Sequence, residues 1–233
     1  MEKMKNALCA GLPALGLSLP EEQIDTLCAF GQAMIRQNEV MNLTAITEPE
    51  AVAKLHLLDS LTVLCAADVA GKRIIDVGCG AGFPGVPVAI ACPEAKVTLL
   101  DSLGKRMNWL QTVLPQLGVD AQCITARAEE AVTQHREKFD IATSRAVARL
   151  NILLELTAPY VKVGGAVVAL KGSAAREELA EAEGAVKKLG LKLEQIRDFT
   201  IDGASHSIIL LRKVAPTPTQ YPRRYAKIKQ FPL

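Results

Sequence analysis

Arg73-Ile74-Ile75-Asp76-Val77-Gly78-Cys79-Gly80-Ala81-Gly82-Phe83-Pro84-Gly85 is the stretch on which the fold turns. An apolar, β-branched run enters a loop with four glycines and leaves it into a segment of helical character. Glycine at those positions lets backbone N–H groups come close to a ligand that a Cβ would exclude. Toward the C-terminus, short apolar runs at 74–77, 97–100, 121–125, 139–143 and 166–170 alternate with helical stretches that begin near Gly85, Leu103, Ala128 and Leu150. Each helical stretch is long enough for a right-handed crossover. The alternation predicts an α/β, Rossmann-like fold with a doubly wound, mostly parallel sheet. A helix over 174–189 and two last strands, 192–199 and 207–213, complete it.

Toward the N-terminus no strand is evident. Glu21 to Arg36 carries Ile24, Leu27, Cys28, Met34 and Ile35 at helical spacing. Thr47-Glu48-Pro49-Glu50 has the form of a capping box with proline in the first turn, and it predicts an amphipathic helix through Leu64. The organisation expected is one structural domain in three parts: a helical extension over 1–66 packed on the core, the α/β unit over 67–215, and a tail over 216–233.

Hydrophobic residues make up 49% of the chain and charged residues 22%, which are globular values, and no apolar run approaches the roughly 18 residues of a membrane span. The opening Met1-Glu2-Lys3-Met4-Lys5 and its apolar sequel are interrupted by Pro13 and lack a cleavage pattern, so a cytoplasmic protein is expected. Six scattered cysteines with no C-x-x-C pair read as reduced thiols, and the three histidines offer no metal site. Net charge is +2, but from Arg212 onward there are six cations and no acid, against −4 for the rest. The basic character is local.

Two ligands compete for the glycine loop. Gly80, Gly82 and Gly85 match the G-x-G-x-x-G of dinucleotide sites, whereas Asp76 with Gly78, Gly80 and Gly82 matches the acidic-x-G-x-G-x-G of S-adenosylmethionine sites. A carboxylate at the end of the first strand repels a pyrophosphate and suits a donor that carries an ammonium and a sulfonium, so Asp76 favours the methyl donor. Asp101 ends the second strand, nineteen residues after Gly82, where a carboxylate accepts from ribose hydroxyls. The loop lacks the Gly-Lys-Ser/Thr ending of a P-loop. A tight turn with no ligand and a solvated Asp101 is the plain alternative.

Asn42-Leu43-Thr44, His56-Leu57-Leu58-Asp59-Ser60, the loop from Asp76 to Gly85, Leu100-Asp101-Ser102 with Lys105-Arg106, Arg127-Ala128-Glu129, Ser144-Arg145-Ala146, Lys171-Gly172 and Tyr221-Pro222-Arg223-Arg224-Tyr225-Ala226-Lys227-Ile228-Lys229 together resemble the bacterial ribosomal RNA small-subunit methyltransferase G family, also called glucose-inhibited division protein B. The resemblance spans nearly the whole chain. It implies a class I S-adenosylmethionine-dependent methyltransferase acting on nitrogen 7 of one guanine, nucleotide 527, in 16S ribosomal RNA. It also places cofactor contacts on Gly78, Phe83, Ala128, Glu129 and Arg145.

Guanine nitrogen 7 carries an in-plane lone pair, so such a reaction calls for positioning and electrostatics rather than a general base. Arg145 and Lys171, at the carboxyl ends of their strands, are the residues expected to act on the acceptor, with structural ion pairs as the alternative. Cys79 lies inside the cofactor loop and Cys92-Pro93 reverses the order expected of a cysteine nucleophile. The roles of Asn42, His56 and Asp59, facing a cleft or fastening the extension, stay open. Arg223, Arg224, Lys227 and Lys229, interleaved with Tyr221, Tyr225 and Phe231, suit single-stranded RNA, with a packed terminus as the alternative. The expected partner is 16S ribosomal RNA or the small subunit, bound by a monomer. A nicotinamide-dependent oxidoreductase and a non-catalytic RNA-binding assembly factor are the competing functions.

Overall fold

In the computed structural model, which describes residues Met1–Leu233, seven strands form one sheet: β1 (Arg73–Val77), β2 (Lys96–Asp101), β3 (Ala121–Thr125), β4 (Phe139–Arg145), β5 (Val161–Lys171), β6 (Leu191–Ile201) and β7 (Ala204–Lys213). Their order is β3-β2-β1-β4-β5-β7-β6, with β7 alone antiparallel to its neighbours. The crossovers are α5 (Gly85–Ala91), α6 (Gly104–Gln116), α7 (Ala128–His135) and α8 (Leu150–Thr157). Before them come α1 (Glu2–Gly11), α2 (Glu21–Met41), α3 (Pro49–Val52) and α4 (Asp59–Ala66).

Strict alternation along each strand divides the apolar runs between two faces. Ile74, Leu99, Val168 and Leu210 join a cluster with α5, α6 and the N-terminal helices, including Met4, Leu27, Phe30 and Leu61. Ile75, Val77, Leu100, Val167 and Leu211 join a second cluster with Leu153, Leu154 and Tyr160. The extension therefore shares its core with the sheet.

Three elements differ from the sequence reading. Strand β5 starts at Val161, pairing with Phe139, five residues before the expected run; exposed Lys162-Val163-Gly164 hides that start. The helix expected over 174–189 is two, α9 (Ala175–Glu181) and α10 (Glu183–Lys188), and the chain bends at fully buried Ala182 so that both lie on α8. The helix expected from Thr47 is capped by Glu48, whose carboxylate accepts from the Ala51 N–H at 2.8 Å. Pro49 at the first helical position fixes the cap at the residue before it. That helix then widens to a π-helical turn at Ala53–Leu58 before α4. The tail forms α11 (Tyr225–Gln230), and Ile228 is fully buried.

Candidate active site

The carboxyl ends of β1, β2, β4 and β5 open on a cavity of about 1070 Å³, at the edge where open α/β sheets bind ligands. Gly78, Gly80, Phe83, Asp101, Ala128, Glu129, Arg145 and Lys171 all line it, and Thr44, His56 and Asp59 close it from the extension.

The glycine loop forms one half. Gly82 has φ +97°, and a Cβ there would stand 2.6 Å from Val86 Cγ2, so both conformation and space require glycine. At Gly80, with φ +57°, a Cβ would meet only Arg106 Nη1, at an ordinary contact distance of 3.7 Å. The Gly80 N–H donates to Asp101 Oδ2 at 2.9 Å, while Leu103 N–H donates to Oδ1 at 2.9 Å. Two backbone donors thus hold the carboxylate at the cavity edge, each oxygen keeping a lone pair. Glu129, in the first turn of α7, has no protein partner. Asp76 departs from expectation. It is fully buried off the cavity surface, and its Oδ2 accepts from the Gly85 N–H at 2.7 Å, bracing the loop from beneath. Burial pushes its carboxyl up to about 7, and Oδ1 has no partner. Phe83 is also a packing residue, its ring 5.0 Å from His56 and 5.3 Å from Phe30. Cys79 is a buried thiol pushed well up by desolvation, which leaves it no nucleophilic role.

A charged network forms the other half. Arg145, the last residue of β4, donates from Nη1 to Leu55 O at 2.8 Å and Asp59 Oδ2 at 3.0 Å, and from Nη2 to His56 Nδ1 at 3.1 Å. Its guanidinium lies 5.1 Å over the Phe83 ring. His56 Nδ1 thus faces a donor, Arg145 Nη2, and an acceptor, Leu55 O at 3.2 Å, while Nε2 pairs with Thr44 Oγ1 at 2.8 Å. Burial, then the Arg145 charge, pushes His56 down to about 4, which keeps the ring neutral. His206 Nδ1 donates to Asp59 Oδ1 at 2.8 Å. Burial raises the Asp59 carboxyl, but the His206 bond and Arg145 outweigh it and hold the group below the usual carboxylate range. The next residue, Ala146, has φ +55°, a strained conformation at a site-lining position. The π-helical turn brings His56 and Asp59 to the cavity wall. Asn42 is elsewhere, exposed in a left-handed conformation that ends α2.

Lys171 reaches the cavity, but Glu178 holds its ammonium at 2.8 Å and Ala148 O at 2.6 Å. It ties down the loop after β4 in place of an acceptor. The basic tail is also reassigned in part. Arg223 clasps fully buried Glu155 through Nε at 2.8 Å and Nη2 at 2.6 Å, and Tyr221 is buried beside it. Arg212 pairs with Glu194, and Lys213 is buried. Arg224, Lys227 and Lys229 remain exposed, with Tyr225 at the cavity. Sequence reasoning missed His206, Glu155 and the Leu55 carbonyl, because nothing in the sequence links residues that meet only through β7, α8 or the π-helical turn.

The sequence profile of the family described as rRNA small subunit methyltransferase G matches residues 23–208. The chain belongs to that family. Members named ribosomal RNA small subunit methyltransferase G are 41% identical in Acetivibrio thermocellus, over 99% of this chain and 97% of the relative, and 43% identical in Desulfitobacterium hafniense, over 94% and 93%. In fold the chain is similar to M. jannaschii TYW2 in complex with AdoMet, with a TM-score of 0.53 and 14% identity over 64% of this chain and 71% of that one. TrmN from Thermus thermophilus gives a TM-score of 0.54 with 19% identity over 67% and 48%. The fold is that of class I methyltransferases, and the chain is an S-adenosylmethionine-dependent rRNA methyltransferase. That sets aside the oxidoreductase and scaffold readings. No helix is long and apolar enough to cross a membrane.

The residues fit the cofactor. Asp101 and Glu129 offer carboxylates for hydroxyl and ammonium donors, glycine-loop backbone lines the wall between, and Arg145 keeps donors for a carboxylate. When bound, the cofactor supplies an electrophilic sulfonium methyl.

Proposed function

We propose that this methyltransferase modifies nitrogen 7 of a guanine in 16S ribosomal RNA, at nucleotide 527, acting as a cytoplasmic monomer on the RNA or the small subunit. The observation that carries this reading is the family match over residues 23–208, and in the acceptor half of the cavity three of the candidate groups are already engaged within the protein. Both His56 nitrogens are engaged, Asp59 is held as a carboxylate by His206 and Arg145, and Lys171 is held by Glu178. His206 gives its Nδ1–H to Asp59 and keeps Nε2 without a protein partner, so it is the imidazole there that could take a proton from an acceptor that must lose one. Guanine nitrogen 7 needs no such step.

Methylation turns the neutral base into a cation. Asp59 and Glu178, both lining the cavity, are charges of the sign that favours this. Their cations Arg145 and Lys171 keep the pairs close to neutral, so neither carboxylate stands buried and alone. Asp101, Glu129, Gly78, Gly80 and Ala128 line the cofactor side, with Gly82 shaping the loop, Asp76 bracing it and Phe83 packing against it. Arg224, Lys227 and Lys229 offer phosphate contacts and Tyr225 a ring for an unpaired base, while Arg223 and Tyr221 hold the tail in place.

The test is transfer of labelled methyl from S-adenosylmethionine to 16S ribosomal RNA and small subunits from cells lacking the protein, followed by nucleoside analysis. Label in 7-methylguanosine is expected. Label in another nucleoside, or none on either substrate, overturns the assignment.

A further inference from the structure

Three hydrogen bonds fix the Arg145 guanidinium, two from Nη1 and one from Nη2. Of its five N–H donors, one on Nε and one on Nη2 are left without a protein acceptor. The only buried side-chain polar atoms without a partner are Gln23 Oε1 and Asp76 Oδ1, so the unpartnered Nε of Arg145 is reached by solvent, on a residue that lines the cavity. The same Nε/Nη2 edge is used elsewhere in this molecule to clasp two-oxygen anions. Arg212 holds both oxygens of Glu194 at 2.6 and 2.7 Å, and Arg223 holds those of Glu155 at 2.8 and 2.6 Å.

What sets the direction of that edge is Asp59, and what sets Asp59 is His206. The carboxylate takes Arg145 on Oδ2 and the His206 Nδ1–H on Oδ1, so one buried group joins β4, β7 and α4. Remove the His206 donor and Oδ1 is left without a partner in the protein, free to rotate away from Arg145. We infer that His206 and Asp59 are positioning residues that aim the free Nε/Nη2 edge of Arg145 into the cavity, where it clasps a two-oxygen anion: a carboxylate or a phosphate. Two sources supply that chemistry, the methionyl carboxylate of the cofactor and a backbone phosphate of the RNA. The inference rests on the cavity being the methyl-transfer site.

The test uses the full chain and two variants, His206→Leu and His206→Asn. The asparagine amide donates to Asp59 where Nδ1–H did; leucine does not. Affinity for S-adenosylmethionine is read by calorimetry, affinity for 16S ribosomal RNA from cells lacking the protein by filter binding, and folding by thermal melting. His206→Leu is expected to weaken one of the two ligands about tenfold, the size of a lost hydrogen bond to a charged group, with His206→Asn within about twofold of wild type. Loss confined to S-adenosylmethionine supports the carboxylate; loss confined to RNA supports the phosphate. Unchanged affinity for both in a folded His206→Leu, or equal losses in the two variants, overturns the inference. If leucine prevents folding, His206→Ala gives the same comparison. Wild-type protein that transfers no methyl to ribosomal RNA overturns the proposed function instead, separately from the binding data.

Discussion

The two halves of the cavity are built on different principles. On the loop side, Gly80, Gly82, Asp101 and Leu103 are held by backbone geometry and by bonds to main-chain N–H groups, within two adjacent strands and the turns that follow them. On the network side, Arg145, His56, Asp59 and His206 come from β4, the π-helical turn, α4 and β7, and they hold one another through side chains as far apart in sequence as Asp59 and His206. The first half is a local structure that the sheet displays. The second exists only once the extension and β7 have docked, so its geometry is tied to global folding.

That contrast can be broken at several points. The largest effect is expected in the tail, where the same distinction separates neighbours. Arg223→Ala leaves fully buried Glu155 without its partner and should cost about 3 to 5 kcal/mol in denaturant unfolding. Arg224→Ala, one residue along and exposed, should stay within about 0.5 kcal/mol. Equal losses would mean that the ion pair does not fix the tail. Next comes Gly82→Ala, which combines a positive φ with a contact of 2.6 Å and should lose about 2 to 4 kcal/mol. Gly80→Ala meets nothing closer than 3.7 Å, and its cost should be only the roughly 1 kcal/mol of a left-handed alanine.

The network half should respond to acid. His56 has a folded value of about 4 against an ordinary 6.5, so its contribution is complete above pH 6.5 and is lost as the pH falls through 4. Stability of the wild type should decline over that window by up to about 3 kcal/mol more than that of His56→Gln, which has nothing to titrate there. Parallel stability curves would show that His56 is not held neutral. On the loop side the effect falls on binding: Asp101→Ala should reduce affinity for S-adenosylmethionine by about 1.5 to 3 kcal/mol in calorimetry. An unchanged affinity in a folded variant would remove Asp101 from the cofactor site.

The amino-acid sequence by itself determined the alternation of strand and helix, the glycine loop and the placement of Asp101. These are features of chain-local pattern: short continuous apolar runs for strands buried on both faces, glycines where φ is positive, and a carboxylate at a strand end. It also carried the family, because many short motifs across the chain coincide. What it left open was where each charge goes. Asp76 looked like a ligand contact and is a buried brace; Lys171 and Arg223 looked free and are held by Glu178 and Glu155. A charged side chain takes whichever partner the packed structure brings within about 3 Å, and those partners lie far away in sequence. The tertiary structure alone therefore decided that Arg145 meets Asp59, and Asp59 meets His206, at the wall of the cavity.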